Sequence, residues 1–139
     1  MGLIRLGMAS RNAGVRAHTL LVDAAGPLPG LLDIRSGIIP TDPDEVPSGV
    51  LLARLLFPLP AFALPFGGEA TLASPILPVT ILADGEAAWF RATDGNGTVA
   101  WDGPIGLIGS GKPVELHSLT LVQGAPISVA MVRYYQLAS

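Results

Sequence analysis

The stretch Gly106-Leu-Ile-Gly-Ser-Gly111-Lys112 has the spacing of a loop that wraps phosphate with backbone N–H groups, as far as its lysine. A working loop of this kind needs Ser or Thr next, to hold Mg²⁺, and a helix whose amino-terminal N–H groups face the phosphate. Position 113 is proline, and Gly103-Pro104 upstream should break the leading strand. The segment therefore reads as a flexible inter-strand loop. Asp94-Gly-Asn96-Gly97-Thr98 resembles the middle of a calcium-binding loop, but that register puts the first ligand on Ala92 and the bidentate glutamate on Gly103. A hairpin turn is the expected structure, since Asn and Gly accept the positive φ of tight turns. Asn96-Gly97-Thr98 is also a glycosylation sequon, with no export signal beside it.

Acid–base chemistry has few candidates. Asp42, Asp44 and Glu45 sit among prolines in PTDPDEVPSG (Pro40–Gly49), where solvated turns are expected rather than a cleft that raises a carboxyl pKa. The two histidines are His18 and His117. His18 falls on the apolar side of a helical pattern and should be partly buried. His117 follows Leu116 in an alternating segment and should face solvent or a partner. Neither has a Ser/Asp pair at motif spacing, and no Gly-x-Ser-x-Gly elbow occurs. No constellation supports an enzyme or a cofactor.

Trp89 and Phe90, with Trp101 in the next predicted strand, allow two readings. Exposed, they would form a stacking platform for sugar rings; inward, they would fill a sheet core. The absence of a flanking Asn/Asp/Arg cluster favours the core.

Composition narrows the classes further. Across 139 residues, Lys plus Arg number 8 and Asp plus Glu 11, giving a net charge of −3. No basic surplus exists for binding nucleic acid through its phosphates. Cysteine is absent, which excludes disulfides, thiolate metal sites and thiol nucleophiles. Charged residues make up 14% of the chain and apolar residues 50%, against a usual charged share of about 25%. The long uncharged runs between Arg54 and Glu69 and between Glu69 and Asp84 carry Pro58, Pro60, Pro65, Pro75 and Pro78, so neither suits a membrane-spanning helix. With no targeting segment, a cytoplasmic site of synthesis is expected. So apolar a surface must be hidden somewhere, and another subunit or a large assembly is the economical answer.

The elements that position these residues are mostly β. Ser10–Ala25 carries the one helical pattern, with Val15, His18, Leu21 and Val22 at three- and four-residue intervals; Ser10 could cap it and Gly26-Pro27 stop it. Thereafter the period is two. The predicted strands are Leu31–Ser36, Val50–Phe57, Glu69–Ser74, Val79–Ala83, Glu86–Thr93, Thr98–Asp102, Val114–Val122 and Ile127–Tyr135. The reading is a single domain over 1–139: an N-terminal arm (1–9), one helix (about 10–25) and an antiparallel β-sandwich (31–135). No internal repeat is present.

The order of elements resembles a family of small bacteriophage virion proteins encoded among head genes. The likeness lies in an Arg/Asn/Ala helix (ASRNAGVRAHTLLVDA) and a strand ending in Arg35-Ser36-Gly37. It continues through the loop Pro40–Ala53 (PTDPDEVPSGVLLA), the strand Ala87–Arg91 (AAWFR), Asp102-Gly103 and the closing Leu119–Val129. It covers about residues 10–135. The resemblance implies a jelly-roll-like β-sandwich that binds the outside of an assembled capsid as a cement or decoration protein, without catalytic residues. On that expectation the chain is made in the bacterial host cytoplasm and ends on the outer capsid surface of the virion. Its partners would be the major capsid protein and itself, as a dimer or trimer, with no nucleic acid or membrane. The expected contact residues are Val15, Leu21, Pro58, Phe62, Pro65 and Phe66, because Ser10–Ala25 and Pro58–Phe66 look poorly placed to pack on a sandwich alone. A tail-associated, carbohydrate-binding β-sandwich module, with Trp89 and Trp101 as its platform, is the alternative.

Overall fold

Helix formation begins two residues earlier than the pattern suggests. In the computed structural model, which describes residues 4–135, α1 spans Met8–Leu21 and starts from Gly7. Ser10 lies inside the helix, and no side chain caps its start. Val15, Thr19 and Val22 turn inward at the i, i+4, i+7 spacing of one helical face. His18 and Leu21 lie outside that stripe, so His18 is exposed rather than partly buried. The buried Thr19 hydroxyl is satisfied by donating to the Arg16 carbonyl at 3.2 Å. Past Leu21 the N–H groups of Val22, Asp23 and Ala24 bond three residues back, tightening the chain before Gly26-Pro27.

In chain order the strands among the described residues are β1 (Leu31–Arg35), β2 (Leu51–Leu56), β3 (Glu69–Thr71), β4 (Val79–Thr80), β5 (Gly85–Glu86), β6 (Trp89–Thr93), β7 (Val99–Leu107), β8 (Val114–Leu116), β9 (Thr120–Leu121), β10 (Pro126–Ile127) and β11 (Val129–Tyr135). Seven form one sheet in the order β2-β1-β6-β7-β8-β11-β3, while β10 pairs with β4 and β5 with β9. The class is mainly β with one helix, as expected. One pair departs from the antiparallel pattern, because β7 and β8 run parallel, with Ile105 opposite Val114 and Leu107 opposite Leu116. Parallel neighbours usually need a crossover of about a dozen residues or more. Here the overlap is so short that residues 108–113 suffice to return the chain.

Every predicted strand overlaps a real one, although β7 runs five residues past the predicted Thr98–Asp102, and several are divided where the chain changes partner. Between β5 and β6, the Ala87 N–H donates to Leu119 O and the Ala88 N–H to Arg35 O, so adjacent residues serve different neighbours. The expected break at Gly103-Pro104 does not occur, and β7 runs through both residues. Ile105 N–H donates to Ala88 O, so the bond to β6 next to Pro104 belongs to Ile105. Pro104 thus falls where β6 needs no donor from it.

Apart from Trp89, the buried apolar residues form one cluster. Leu32, Ile34, Leu55, Phe90 and Ala92 lie on one face of the large sheet, with Val15 and Val22 of the helix and Phe57, Phe62, Ile76, Ile81, Leu121 and Ile127 packed into the same core. Phe57, Phe62, Trp101 and Tyr134 form a chain of ring contacts with centroids 5.6, 5.7 and 4.5 Å apart. Asp23, just past the helix, accepts from the Ala61 N–H at 3.2 Å. The proline-rich segment is therefore tied to the helix as well as packed on it.

Candidate functional site

The glycine loop is closed from within. Glu115, on β8, turns its carboxylate into the loop and accepts from the Gly111 N–H at 2.7 Å and the Gly109 N–H at 3.3 Å. Gly109 and Gly111 have φ of 86° and 79°, the left-handed conformation that turns their amides inward. Arg133 Nη2 lies 3.3 Å from the same carboxylate, which is 7% exposed. The geometry that would cradle a phosphate is occupied by the chain's own anion, and the loop is held rather than flexible.

The Asp94 turn is equally self-contained. Its Oδ1 accepts from Asn96 N–H (2.8 Å) and Thr98 N–H (3.0 Å), so the carboxylate builds the hairpin and not a cation site. Asp42 does the same for the Asp44 N–H at 2.9 Å. Among the described residues, no group of three or more His, Asp or Glu side chains is placed to hold a metal ion.

Cross-strand register creates one arrangement that no local motif announces. Arg54 of β2 lies opposite Asp33 of β1, Asp33 opposite Arg91 of β6, and Arg91 opposite Asp102 of β7. Residues directly opposite share a face, so charges alternate across four strands on the side of the sheet away from the apolar core. Arg54 meets Asp33 through two bonds of 2.7 and 2.8 Å, and this pairing raises the guanidinium pKa. Arg91 reaches Asp102 at 3.4 Å, lies 5.3 Å from the Trp89 ring centroid, and donates to the Glu45 carbonyl at 2.7 Å. That last bond draws the Pro40–Gly49 loop over the charged row as a roof. A cleft of about 340 Å³ remains beneath it, lined by Asp33, Arg35, Arg54 and Arg91 with Asp44 to Pro47 of the loop.

The tryptophans do not make a platform. Trp89 is 1% exposed and its indole N–H donates to Ser36 O at 3.1 Å. Trp101 lies opposite Ala92, whereas Trp89 lies opposite Pro104, so their side chains leave the sheet on opposite faces. Trp101 packs on Phe62 and Tyr134. The Tyr134 hydroxyl lies 2.6 Å from His18 Nδ1, and burial raises the phenol's pKa. This pair, 116 positions apart in sequence, joins helix to sheet.

The expected contact residues divide. Val15 and Phe62 are core residues, which corrects their assignment as contacts: each fills space beneath its own element. Leu21 and Phe66 stand exposed, and Pro58 and Pro65 are half-buried. A groove of about 480 Å³ runs between the end of β2 and the chain before β4, lined by Pro29, Leu56, Phe57, Pro58, Pro75, Leu77, Pro78 and Val79. Its lining carries no charge. Leu77, at its rim, is 78% exposed. Pro58 is the one groove residue among the expected contacts; the density of prolines near positions 27–29 and 75–78 is the sequence signal for the others.

No family model matches the chain, and neither does any curated protein or solved structure.

Proposed function

We propose that this chain is a non-enzymatic virion structural protein that binds the outside of an assembled phage capsid and cements neighbouring major capsid subunits, acting as a dimer or trimer. The observation that carries this reading is the uncharged, proline-framed groove beside exposed Leu56, Leu59 and Leu77. Proline reduces the freedom of these segments before contact, so little ordering entropy opposes docking. The loops whose sequences resemble phosphate and calcium sites are satisfied internally by Glu115 and Asp94, which also favours a structural role. A protein that binds only the assembled shell stabilises it by about 2.7 kcal/mol per site at a hundredfold excess over Kd. Summed over a shell's equivalent sites, this resists internal pressure without any reaction.

With only 8 cationic side chains, several of them engaged internally, attachment should depend little on salt. Heat challenge of virions with and without the protein, followed by electron microscopy, tests the proposal. Shells lacking it should rupture at lower temperature, and loaded shells should retain it at molar salt. Equal rupture temperatures would remove the cementing role, and release at moderate salt would show that charge holds it on.

A further inference from the structure

The apolar groove has a counterpart on the same chain. Residues 61–73 form a hairpin whose second arm contains β3: Phe62 bridges Leu72, and Phe66 and Glu69 exchange backbone bonds of 2.8 and 3.1 Å across Gly67-Gly68. Both glycines have positive φ, 64° and 76°, as a two-residue hairpin turn requires. The turn is anchored, because the Gly68 N–H donates to Asn12 Oδ1 of α1 at 2.7 Å. Phe62, at the hairpin's base, is core. Phe66, at its tip, is 89% exposed, and Leu64 beside it is 75% exposed. The molecule thus holds an aromatic side chain out in water on a rigid support, at evident solvation cost, and keeps an uncharged groove open elsewhere.

We propose that the Phe66 hairpin of one copy seats in the proline-lined groove of a second copy. The proposal rests on the self-association already inferred, and names its contact. Shape and chemistry agree: a projecting aromatic meets a concave apolar lining, and neither the lining nor the segment Ala61–Gly68 carries a charge to desolvate. An aromatic anchor buries about 150–250 Å², a quarter or so of the roughly 800 Å² per partner in a standard interface. Leu64 on one side, with Leu56, Leu59 and Leu77 on the other, supplies exposed apolar surface toward the remainder. The contact joins unlike surfaces, so it closes either as a two-fold pair that exchanges both hairpins or as a ring.

Phe66 and Leu77 are both so exposed that Phe66→Asp and Leu77→Asp should fold, which circular dichroism and thermal melting check. By sedimentation velocity up to high-micromolar concentration, the unaltered chain should associate and each variant should be monomeric. Phe66→Ala should weaken association about thirtyfold, the scale of truncating a buried aromatic anchor. The decisive arm is a mixture. The Leu77→Asp chain keeps its hairpin and the Phe66→Asp chain keeps its groove, so together they should form a one-to-one heterodimer. A monomeric unaltered chain, association indifferent to either variant, or a mixture that stays monomeric each overturns the pairing. Shell attachment of the same variants separates this result from the capsid reading: loss of attachment by Phe66→Asp, with an unaltered chain that is monomeric, would make the capsid subunit the hairpin's partner instead.

Discussion

Replacing Arg91 with methionine should be among the most damaging single changes in this protein. The Arg91 side chain is 5% exposed and the Asp102 side chain 9%. Methionine keeps much of the length and the packing on Trp89, but it strands the Asp102 carboxylate beside the sheet and leaves the Glu45 carbonyl without its charged donor. Breaking a buried pair from one side typically costs about 3–5 kcal/mol. A charge-assisted bond to a carbonyl is worth about 1.5–3 kcal/mol, less where water can replace the donor. Glu45 is exposed, so water supplies part of that loss. The expectation is therefore about 3–5 kcal/mol, a large fraction of the roughly 5–15 kcal/mol by which domains are stable. The double variant R91M/D102L should recover much of it, because the uncompensated carboxylate is then gone. Urea unfolding gives the values from midpoint shifts at constant slope. A loss below about 1 kcal/mol for Arg91→Met, or a double variant no better than the sum of the singles, would refute the view that a buried charge pair organises this face.

Three further outcomes are expected. Glu115→Gln should loosen residues 108–113, read as faster amide exchange at Gly111, and ATP with Mg²⁺ should leave the melting temperature of the unaltered chain unchanged; a saturable rise would mean that the loop takes phosphate despite its internal carboxylate. Coupling between Arg54 and Asp33, measured by a double-mutant cycle, should stay below about 1 kcal/mol despite two short bonds, because the Arg54 side chain is 48% exposed and solvent screens it. The Tyr134 phenol, raised by burial, favours the folded state fully below its unfolded pKa near 10, and this contribution fades as pH rises through the higher folded value. Tyr134→Phe should therefore flatten the alkaline end of the stability profile, and an unchanged profile would deny that burial.

Local chemistry was the legible part of the sequence. Asp94-Gly-Asn-Gly gives its hairpin through bonds that Asp94 makes within four residues, and the Asp42 turn is just as local. The strands β1, β2 and β6 were legible because each keeps the same neighbours along its length, although burial does not alternate along them and β6 is buried at every residue. What escaped depends on register. The row Arg54, Asp33, Arg91, Asp102 comes from four separate strands, and no periodicity within one strand states which residue will lie opposite it. Trp89 and Trp101 occupy adjacent strands, but facing requires the right parity, which fails here. Glu115 was unremarkable in sequence because its partners are backbone amides of glycines, which leave no side-chain signature. Phe62 and Phe66 share one proline-rich run yet have opposite fates, since the hairpin's base packs and its tip projects.

The roof over the charged face has a bearing on how the chain survives proteases and crowding. Val46 on it and Ile38 just before it are both well exposed, and its ties are few: Arg91 to Glu45 O, the Ser36–Val50 bonds at its base, and Ser48 to Ile38 O. Such a segment opens at a small fraction of the global unfolding free energy. What it uncovers is a row of carboxylates and guanidinium groups, not the leucines and phenylalanines of the opposite face. A molecule caught with its roof lifted, or nicked between Pro40 and Gly49, therefore presents water chiefly with charge, with Leu31, Val99 and the Trp89 ring under Arg91 as the apolar groups on that side.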